Sequence, residues 1–120
     1  MLDLKISEMI AMQRDLQEKN QGKWAPLSPK EGRSYLLWML EEMGEAIAII
    51  KKRGEGAIMD EPGVREAFVE ELVDVMMYYI DLLACFEIDA HEFSQAFMKK
   101  YSKNMARDYA SEYKEYLQSK

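Results

Sequence analysis

The sequence predicts an all-α fold, a bundle of four main helices joined by short connections. Apolar residues recur with the 3.6-residue period of amphipathic helices, and no stretch keeps the two-residue alternation of a strand for long. Glycine and proline lie mainly between these periodic segments, where they favour turns. With 120 residues, of which 48% are apolar, the chain is expected to form one domain spanning residues 1–120.

The first two helices are predicted on either side of a loop. Apolar residues follow one face of the first helix over residues 2–19, and a glycine and a proline interrupt residues 20–27. Ser28 is expected to begin the second helix, because Pro29 suits the first helical position and Glu31 completes a capping box with the serine hydroxyl. The second helix should end near Arg53, where two glycines follow.

The remaining chain is predicted to contain a loop and two further helices. Residues 54–61 are expected to form a mobile loop, and a third helix should run over residues 62–85 after a proline at its first turn. Asp89 and Glu92 have the spacing of a capping box. The fourth helix is therefore predicted from about residue 90 towards residue 117.

Composition restricts the compartment and the partners. No stretch approaches the ~20 apolar residues of a membrane helix, and charged residues interrupt the N-terminal apolar residues, so neither a signal peptide nor a membrane partner is expected. The single Cys85 suits a reducing compartment, and we expect a cytoplasmic protein. A net charge of −6 disfavours nucleic-acid binding, and an anionic substrate would need a bridging cation.

Two pairs of carboxylates, each spaced by three residues, lie at the margins of the apolar faces of the second and third helices. Facing carboxylates repel each other and lose hydration, and a divalent cation removes that cost. Oxygen ligands without nearby His or Cys favour Mg²⁺ or Mn²⁺ over zinc. One such pair alone is better explained as a solvated face, whereas two pairs on neighbouring antiparallel helices favour a metal site. The four residues are Glu42, Glu45, Glu71 and Asp74.

Two other features of the helices indicate partners. The second helix is apolar around most of its circumference, which predicts burial against another subunit of a homo-oligomer. On the fourth helix, Lys100, Asn104 and Arg107 share one face at spacings of four and three residues. Lys and Arg commonly bind phosphate oxygens, although salt bridges to the acidic helices are the alternative.

With these motifs, residues 36–109 resemble the MazG family of all-α nucleotide pyrophosphohydrolases, which is related to the dimeric dUTPases. The family motif is an ExxE pair followed by an ExxD pair, matched here by Glu42 to Glu45 and by Glu71 to Asp74. Glu41 and Glu70 double the acidic residue before each pair, as in the family. The run from Lys100 through Asn104 and Arg107 to Tyr109 is similar to a KxxxNxxRxY run of the deoxycytidine triphosphatase branch.

The resemblance implies Mg²⁺-dependent hydrolysis of a nucleoside triphosphate to the monophosphate and pyrophosphate, by water attack at the α-phosphorus. It also implies a dimer or tetramer whose active site uses more than one subunit. The four carboxylates would hold the metal, Mn²⁺ being the alternative ion, and the face of the fourth helix would bind phosphates. The candidates for orienting the water are Glu41, Glu70 and Asp81, the last two placed on the outer side of the acidic stripe. The candidates for walling the base pocket, for which core packing is the competing role, are Trp24, Trp38 and Tyr78.

Two other functions remain open from the sequence. A phosphoribosyl-ATP pyrophosphatase shares the paired-carboxylate helices, although the long first helix and the basic run of the fourth disfavour it. A non-catalytic helical assembly module could also keep this fold. The identity of the base, the sugar, the number of metal ions and the number of subunits are likewise open.

Overall fold

The computed structural model describes all 120 residues, and its regular secondary structure is helical throughout. The absence of any strand confirms the predicted all-α class, whereas the four-helix bundle stays a prediction. None of the helices is both long enough and apolar enough to span a bilayer. The chain divides into two compact units, residues 1–89 and 90–120. The helices are α1 (Ile6–Lys19), α2 (Gly32–Asp60), α3 (Pro62–Cys85), α4 (Ala90–Ala106) and α5 (Tyr109–Gln118), with a 3-10 turn (Pro29–Glu31) before α2.

Helix α1 begins later than the sequence predicted, at Ile6 instead of residue 2. Lys5 has an extended backbone, and its N–H donates to the Glu8 carboxylate at 2.8 Å, which marks the start of the helix. At the other end, the Asn20 side-chain amide donates to the Leu16 carbonyl at 2.8 Å. Helix α1 packs against α3.

The start of α2 differs from the predicted capping box. The Ser28 side chain makes no capping hydrogen bond; instead the Glu31 N–H donates to the Ser28 carbonyl at 2.9 Å and closes the 3-10 turn. Gly32, the first residue of α2, lies against the Phe86 ring. A Cβ at Gly32 would lie 2.6 Å from a carbon of that ring, so this contact requires glycine. The turn and Phe86 therefore fix how α2 enters the unit.

The predicted loop over residues 54–61 is wrong. Gly54 leaves helical geometry, with φ 83° and ψ 160°, but the helix resumes and continues to Asp60. Ile58 is buried in this continuation, and the Glu61 N–H donates to the Ala57 carbonyl at 2.8 Å. Burial of Ile58 gives these residues a tertiary reason to stay helical. The prediction of α3 over residues 62–85 is confirmed.

Helices α2 and α3 make the largest helix contact of the chain, and only Glu61 separates them, so they run antiparallel. The apolar side chains buried in this unit are Tyr35, Ala46, Ile58, Val64, Ile80, Leu83 and Cys85. Many other apolar side chains of α2 and α3 remain exposed. We call the following set the exposed apolar face: Leu36, Leu37, Leu40, Met43, Ile47, Val69, Leu72, Val73 and Met76.

The second unit contains α4 and α5, where the sequence predicted one continuous helix to about residue 117. The helix stops after Ala106, and Asp108 caps a new helix by accepting a hydrogen bond from the Ser111 N–H at 3.0 Å. Arg107, at the junction, forms a two-pronged ion pair with Glu112, its closest N–O distance being 2.7 Å. The cap gives the chain an alternative to continuing the helix.

Candidate functional site

Three carboxylates from α2 and α3 meet in the first unit. Glu42, Glu71 and Asp74 each offer one oxygen, and these oxygens all lie within 4.8 Å of one another. Glu71 and Asp74 share a face of α3 because they are three residues apart, and the antiparallel packing of α2 brings Glu42 opposite them. All three side chains are half-buried. We call these residues the acidic cluster.

Glu45, the fourth predicted ligand, is not part of the acidic cluster. Its spacing from Glu42 is the same as that of Glu71 from Asp74, but of the two α2 carboxylates only Glu42 lies close to both α3 carboxylates. Its side chain is exposed. Its charge still contributes to raising the pKa of Glu42, so the two groups are not electrically independent. The structure thus brings together three of the four predicted ligands.

The acidic cluster lacks a cationic partner. Burial is the main cause that raises the pKa of Glu42, followed by its hydrogen bond with Glu71 and by the charges of Asp74, Glu71 and Glu45. No Lys or Arg forms an ion pair with a member of the cluster. Three carboxylates at this separation therefore repel one another without internal compensation.

The donor set of the acidic cluster fits Mg²⁺. Oxygen ligands at ~2.1 Å in an octahedron lie about 3–4.2 Å from one another, so oxygens within 4.8 Å need only small side-chain rotations. Three carboxylates also leave coordination positions for water and phosphate oxygens. Neither His nor Cys is part of the cluster, which disfavours zinc. The observed residues can hold the predicted ion.

A cavity of about 530 Å³ adjoins the acidic cluster, and Glu42 and Asp74 are part of its wall. This volume lies within the ~300–1,000 Å³ of small-molecule sites. Trp38 and Tyr78, predicted to wall a base pocket, both line the cavity, with ring centroids 6.2 Å apart. Two further aromatic residues line it, Trp24 from the loop and Tyr35 from α2. The cavity therefore combines aromatic rings with carboxylates.

Asp81 is a further cavity residue, and its expected position on the outer side of the acidic stripe is wrong. It is only 3% exposed, because α1 packs on its side of α3. Its Oδ2 accepts a hydrogen bond from Gln13 Nε2 at 3.2 Å, whereas Oδ1 has no partner. Burial raises the pKa of Asp81 to about 6, and the amides of Gln13 and Gln17 oppose that rise.

Several cavity residues were missed by the sequence analysis. Gln17 Nε2 donates to the Tyr35 hydroxyl at 3.3 Å, and this hydroxyl donates to the Ala25 carbonyl at 2.5 Å. Gln13 and Gln17 continue the line of Ile6 and Ile10 along the apolar face of α1. Two glutamines on an apolar face are a signal that could have revealed a polar site, because buried amides need partners.

Two of the three residues predicted to orient water lie outside the cavity, whereas the third, Asp81, lines it. Glu41 and Glu70 are exposed, and neither lines the cavity nor joins the acidic cluster. Glu41 affects the cavity only through its charge, which makes the smallest contribution to raising the pKa of Tyr78. Burial is the largest cause of that rise, and the charges of Glu42, Asp74 and Asp81 follow it. Nothing in their geometry favours direct contact with a ligand in this cavity.

The three predicted phosphate-binding residues lie on the second unit. Lys100 is exposed, and Asn104 is half-buried with an unpartnered Oδ1. The Arg107 guanidinium pairs with Glu112 and lies 4.4 Å from the centre of the Tyr109 ring. The salt-bridge alternative therefore describes Arg107, although its partner is on α5 and not on an acidic helix of the first unit.

Comparisons of the chain with protein-family models, curated proteins and solved structures return no match. The site is therefore interpreted from its own residues and their chemistry.

Proposed function

We propose that this chain is a Mg²⁺-dependent nucleoside triphosphate pyrophosphohydrolase that forms the nucleoside monophosphate and pyrophosphate. The observation that carries the proposal is the placement of Glu42, Glu71 and Asp74, within 4.8 Å of one another, beside a cavity with aromatic walls. A nucleotide needs a flat apolar site for its base and a cation for its phosphates. The cavity and the acidic cluster meet these two requirements side by side.

The acidic cluster supplies the phosphate end of the site. When bound, Mg²⁺ supplies charge neutralisation for the triphosphate and favours ionisation of the attacking water. Glu42, Glu71 and Asp74 would hold the ion, and its positive charge would favour the ionised form of Glu42, whose pKa is raised by burial, by its hydrogen bond with Glu71 and by the neighbouring carboxylates. Because that pKa is raised, affinity for Mg²⁺ should increase with pH until Glu42 is fully ionised. The overall charge of −6 makes such an intermediary necessary for an anionic substrate.

The aromatic walls supply the nucleoside end. Trp38 is one helical turn from Glu42 on α2, and Tyr78 is one helical turn from Asp74 on α3. Both rings line the cavity. A base packed on these rings places its sugar and α-phosphate towards the two carboxylates. Attack by water at the α-phosphorus then follows from proximity, since this phosphorus is the one nearest the nucleoside. Pyrophosphate is the leaving group.

The exposed apolar face supports assembly of several copies. Contiguous exposed apolar surface on two helices is unusual for a monomer and typical of subunit contacts. We propose a homo-oligomer in which this face of α2 and α3 is covered by a second copy. Light scattering on the purified chain should give a multiple of the 14.0 kDa chain mass. Ile47→Glu, which places a charge on that face, should reduce this mass.

A substrate panel in ¹⁸O-labelled water tests the activity. Ribonucleoside and deoxyribonucleoside triphosphates are incubated with the protein and Mg²⁺, and the products are separated and weighed by mass spectrometry. Attack at the α-phosphorus puts one ¹⁸O into the monophosphate and none into pyrophosphate. Release of inorganic phosphate, or label in pyrophosphate, would contradict the proposed reaction. No turnover of any triphosphate would leave the non-catalytic assembly module as the better explanation.

Two substitutions separate the cluster from a general charge effect. Glu42→Gln should reduce turnover about 100-fold or more, because the ion on which the reaction depends would lose one of its three carboxylate ligands. Glu66→Gln removes the same charge from an exposed position of α3 that is outside the cluster and the cavity. This control should keep the activity of the unmodified protein.

A further inference from the structure

One acceptor in the cavity wall has no donor. Asp81 is 3% exposed, and its Oδ2 accepts a hydrogen bond from Gln13 Nε2 at 3.2 Å. Its Oδ1 has no partner within 3.5 Å: the nearby Gln17 amide, which helps to lower the pKa of Asp81, donates to the Tyr35 hydroxyl at 3.3 Å. A buried carboxylate oxygen without a donor is destabilising, and such groups are rare in folded proteins. Because Asp81 lines the cavity, a ligand bound there could supply the missing donor.

The side-chain amide of Gln13, next to Asp81, also has an N–H group without a hydrogen-bond partner. Gln13 Nε2 carries two N–H groups, and the only hydrogen bond it makes is the one to Asp81. Both Gln13 and Asp81 line the cavity. The cavity wall therefore presents a free acceptor next to a free donor. A ligand edge that complements them has an N–H donor adjacent to an acceptor.

We propose that Asp81 determines base specificity, its Oδ1 accepting a hydrogen bond from the exocyclic amino group of a cytosine or adenine base. The neighbouring Gln13 amide donates to the ring nitrogen beside that amino group. This inference rests on the proposed nucleotide substrate and adds the class of base to it. Among matched bases, the site prefers the amino form to the oxo form, cytosine over uracil and adenine over hypoxanthine.

The chemistry of the oxo bases explains the discrimination. Uracil and hypoxanthine carry a carbonyl oxygen where cytosine and adenine carry the amino group. That oxygen would face Asp81 Oδ1, two acceptors without a proton between them, and the carboxylate would stay unpaired. Loss of a hydrogen bond to a charged group corresponds to about 10- to 100-fold in affinity. We therefore expect at least 10-fold weaker binding of the oxo base of each pair.

Asp81→Asn tests the assignment, because it exchanges an acceptor for a donor with little change in shape. The asparagine oxygen can keep the bond from Gln13, which leaves its NH₂ group in the place of Oδ1. Binding of cytidine, uridine, adenosine and inosine is measured without metal by the fluorescence of Trp24 and Trp38, which line the cavity. The unmodified protein should prefer the amino nucleosides, and the variant should lose or reverse that preference.

Two controls keep the test interpretable. Asp15→Asn makes the same chemical change at an exposed position of α1 outside the cavity, and it should leave the base preference unaltered. Gln13→Leu removes the donor to the ring nitrogen together with the hydrogen bond to Asp81 Oδ2, so it should weaken cytidine binding while Asp81 still disfavours the uracil carbonyl. Equal base preference in Asp81→Asn and in the unmodified protein, with both folded by circular dichroism, would overturn the inference.

The failure of this inference and of the proposed reaction can be told apart. Hydrolysis of the cytosine and uracil triphosphates is measured in the same proteins. If both are hydrolysed and Asp81→Asn changes both rates by the same factor, the base assignment is wrong and the reaction stands. If neither is hydrolysed while nucleoside preference still depends on Asp81, the reaction is wrong and the base assignment stands.

Discussion

Replacing Glu42 by glutamine tests the acidic cluster through folding stability, without any assay of a reaction. The oxygens of Glu42, Glu71 and Asp74 lie within 4.8 Å of one another. At that separation, two unit charges repel by about 0.9 kcal/mol in water and about 3.5 kcal/mol at an effective dielectric constant of 20. The half-buried side chains lie between these limits.

Without a divalent cation, Glu42→Gln should therefore raise the free energy of unfolding by about 1–2 kcal/mol, since it removes two repulsive pairs. In a domain of this size, such a gain corresponds to a melting temperature higher by roughly 4–8 °C. With Mg²⁺ at 100 times its dissociation constant, the unmodified protein should gain about 2.7 kcal/mol, and the variant should gain much less. The order of stability should thus reverse when Mg²⁺ is added.

Scanning calorimetry of both proteins, in EDTA and at Mg²⁺ concentrations raised to about 100 times the dissociation constant, measures this reversal. Glu66→Gln, which removes a charge from the exposed side of α3, should follow the unmodified protein under both conditions. Equal stabilisation of Glu42→Gln and the unmodified protein by Mg²⁺ would refute the cation site. A variant less stable than the unmodified protein in EDTA would refute the repulsion.

Three further predictions concern the fold. Asp81→Asn should raise the free energy of unfolding at pH 7.5, on the order of 3 kcal/mol at most, because the folded pKa of about 6 exceeds the ordinary value of 3.8. The folded state binds that proton more tightly, so urea titrations should show this difference shrinking as the pH falls below 6. Gly54→Ala should lower the free energy of unfolding by about 1–3 kcal/mol, because φ 83° and ψ 160° suit only glycine. The control is Gly56→Ala, at a helical position with open space around it, which should be neutral or slightly stabilising in the same titrations. The Cys85 thiol is fully buried, and burial raises its pKa. It should therefore react with a disulfide reagent only as fast as the fold opens, and the absorbance of the released product can be followed along a urea series.

The ends of the helices show how far local signals reach. The pattern around Pro62 and Cys85 predicted α3 correctly, because a proline at the first turn and a long apolar repeat agree with the final packing. Gly54 was read as a helix stop, yet it interrupts α2 without ending it. The helix resumes because Ile58 is buried against the rest of the unit, and a burial of that kind is not encoded in the local sequence.

The break before Asp108 was missed for a different reason. Asp108 and Ser111 have the spacing of an N-cap, and this signal was available in the sequence. The apolar repeat across residues 90–117 masked it, since periodicity by itself does not distinguish one helix from two in line. Here the local chemistry of the aspartate determined the structure, and the wider pattern did not.

The site shows the same division. Spacing alone identified Glu42, Glu71 and Asp74 as candidates, but it gave Glu45 equal standing. The structure excludes Glu45 from the cluster: of the two carboxylates on α2, only Glu42 lies close to Glu71 and Asp74, whereas the Glu45 side chain is exposed. Likewise, the sequence pattern placed Asp81 on the outer side of the acidic stripe, and only the packing of α1 makes it a buried cavity residue.

The sequence by itself determined the helical class, most helix positions and the carboxylates that share a face, because these depend on the period of a single helix. Only the tertiary structure decided which carboxylates meet, which aromatic rings enclose the cavity and which aspartate loses its solvent. Those outcomes depend on contacts between α1, α2 and α3, where residues 13 and 81 become neighbours although 68 positions separate them in the chain. Distances of that kind are set by packing, and no local pattern carries them.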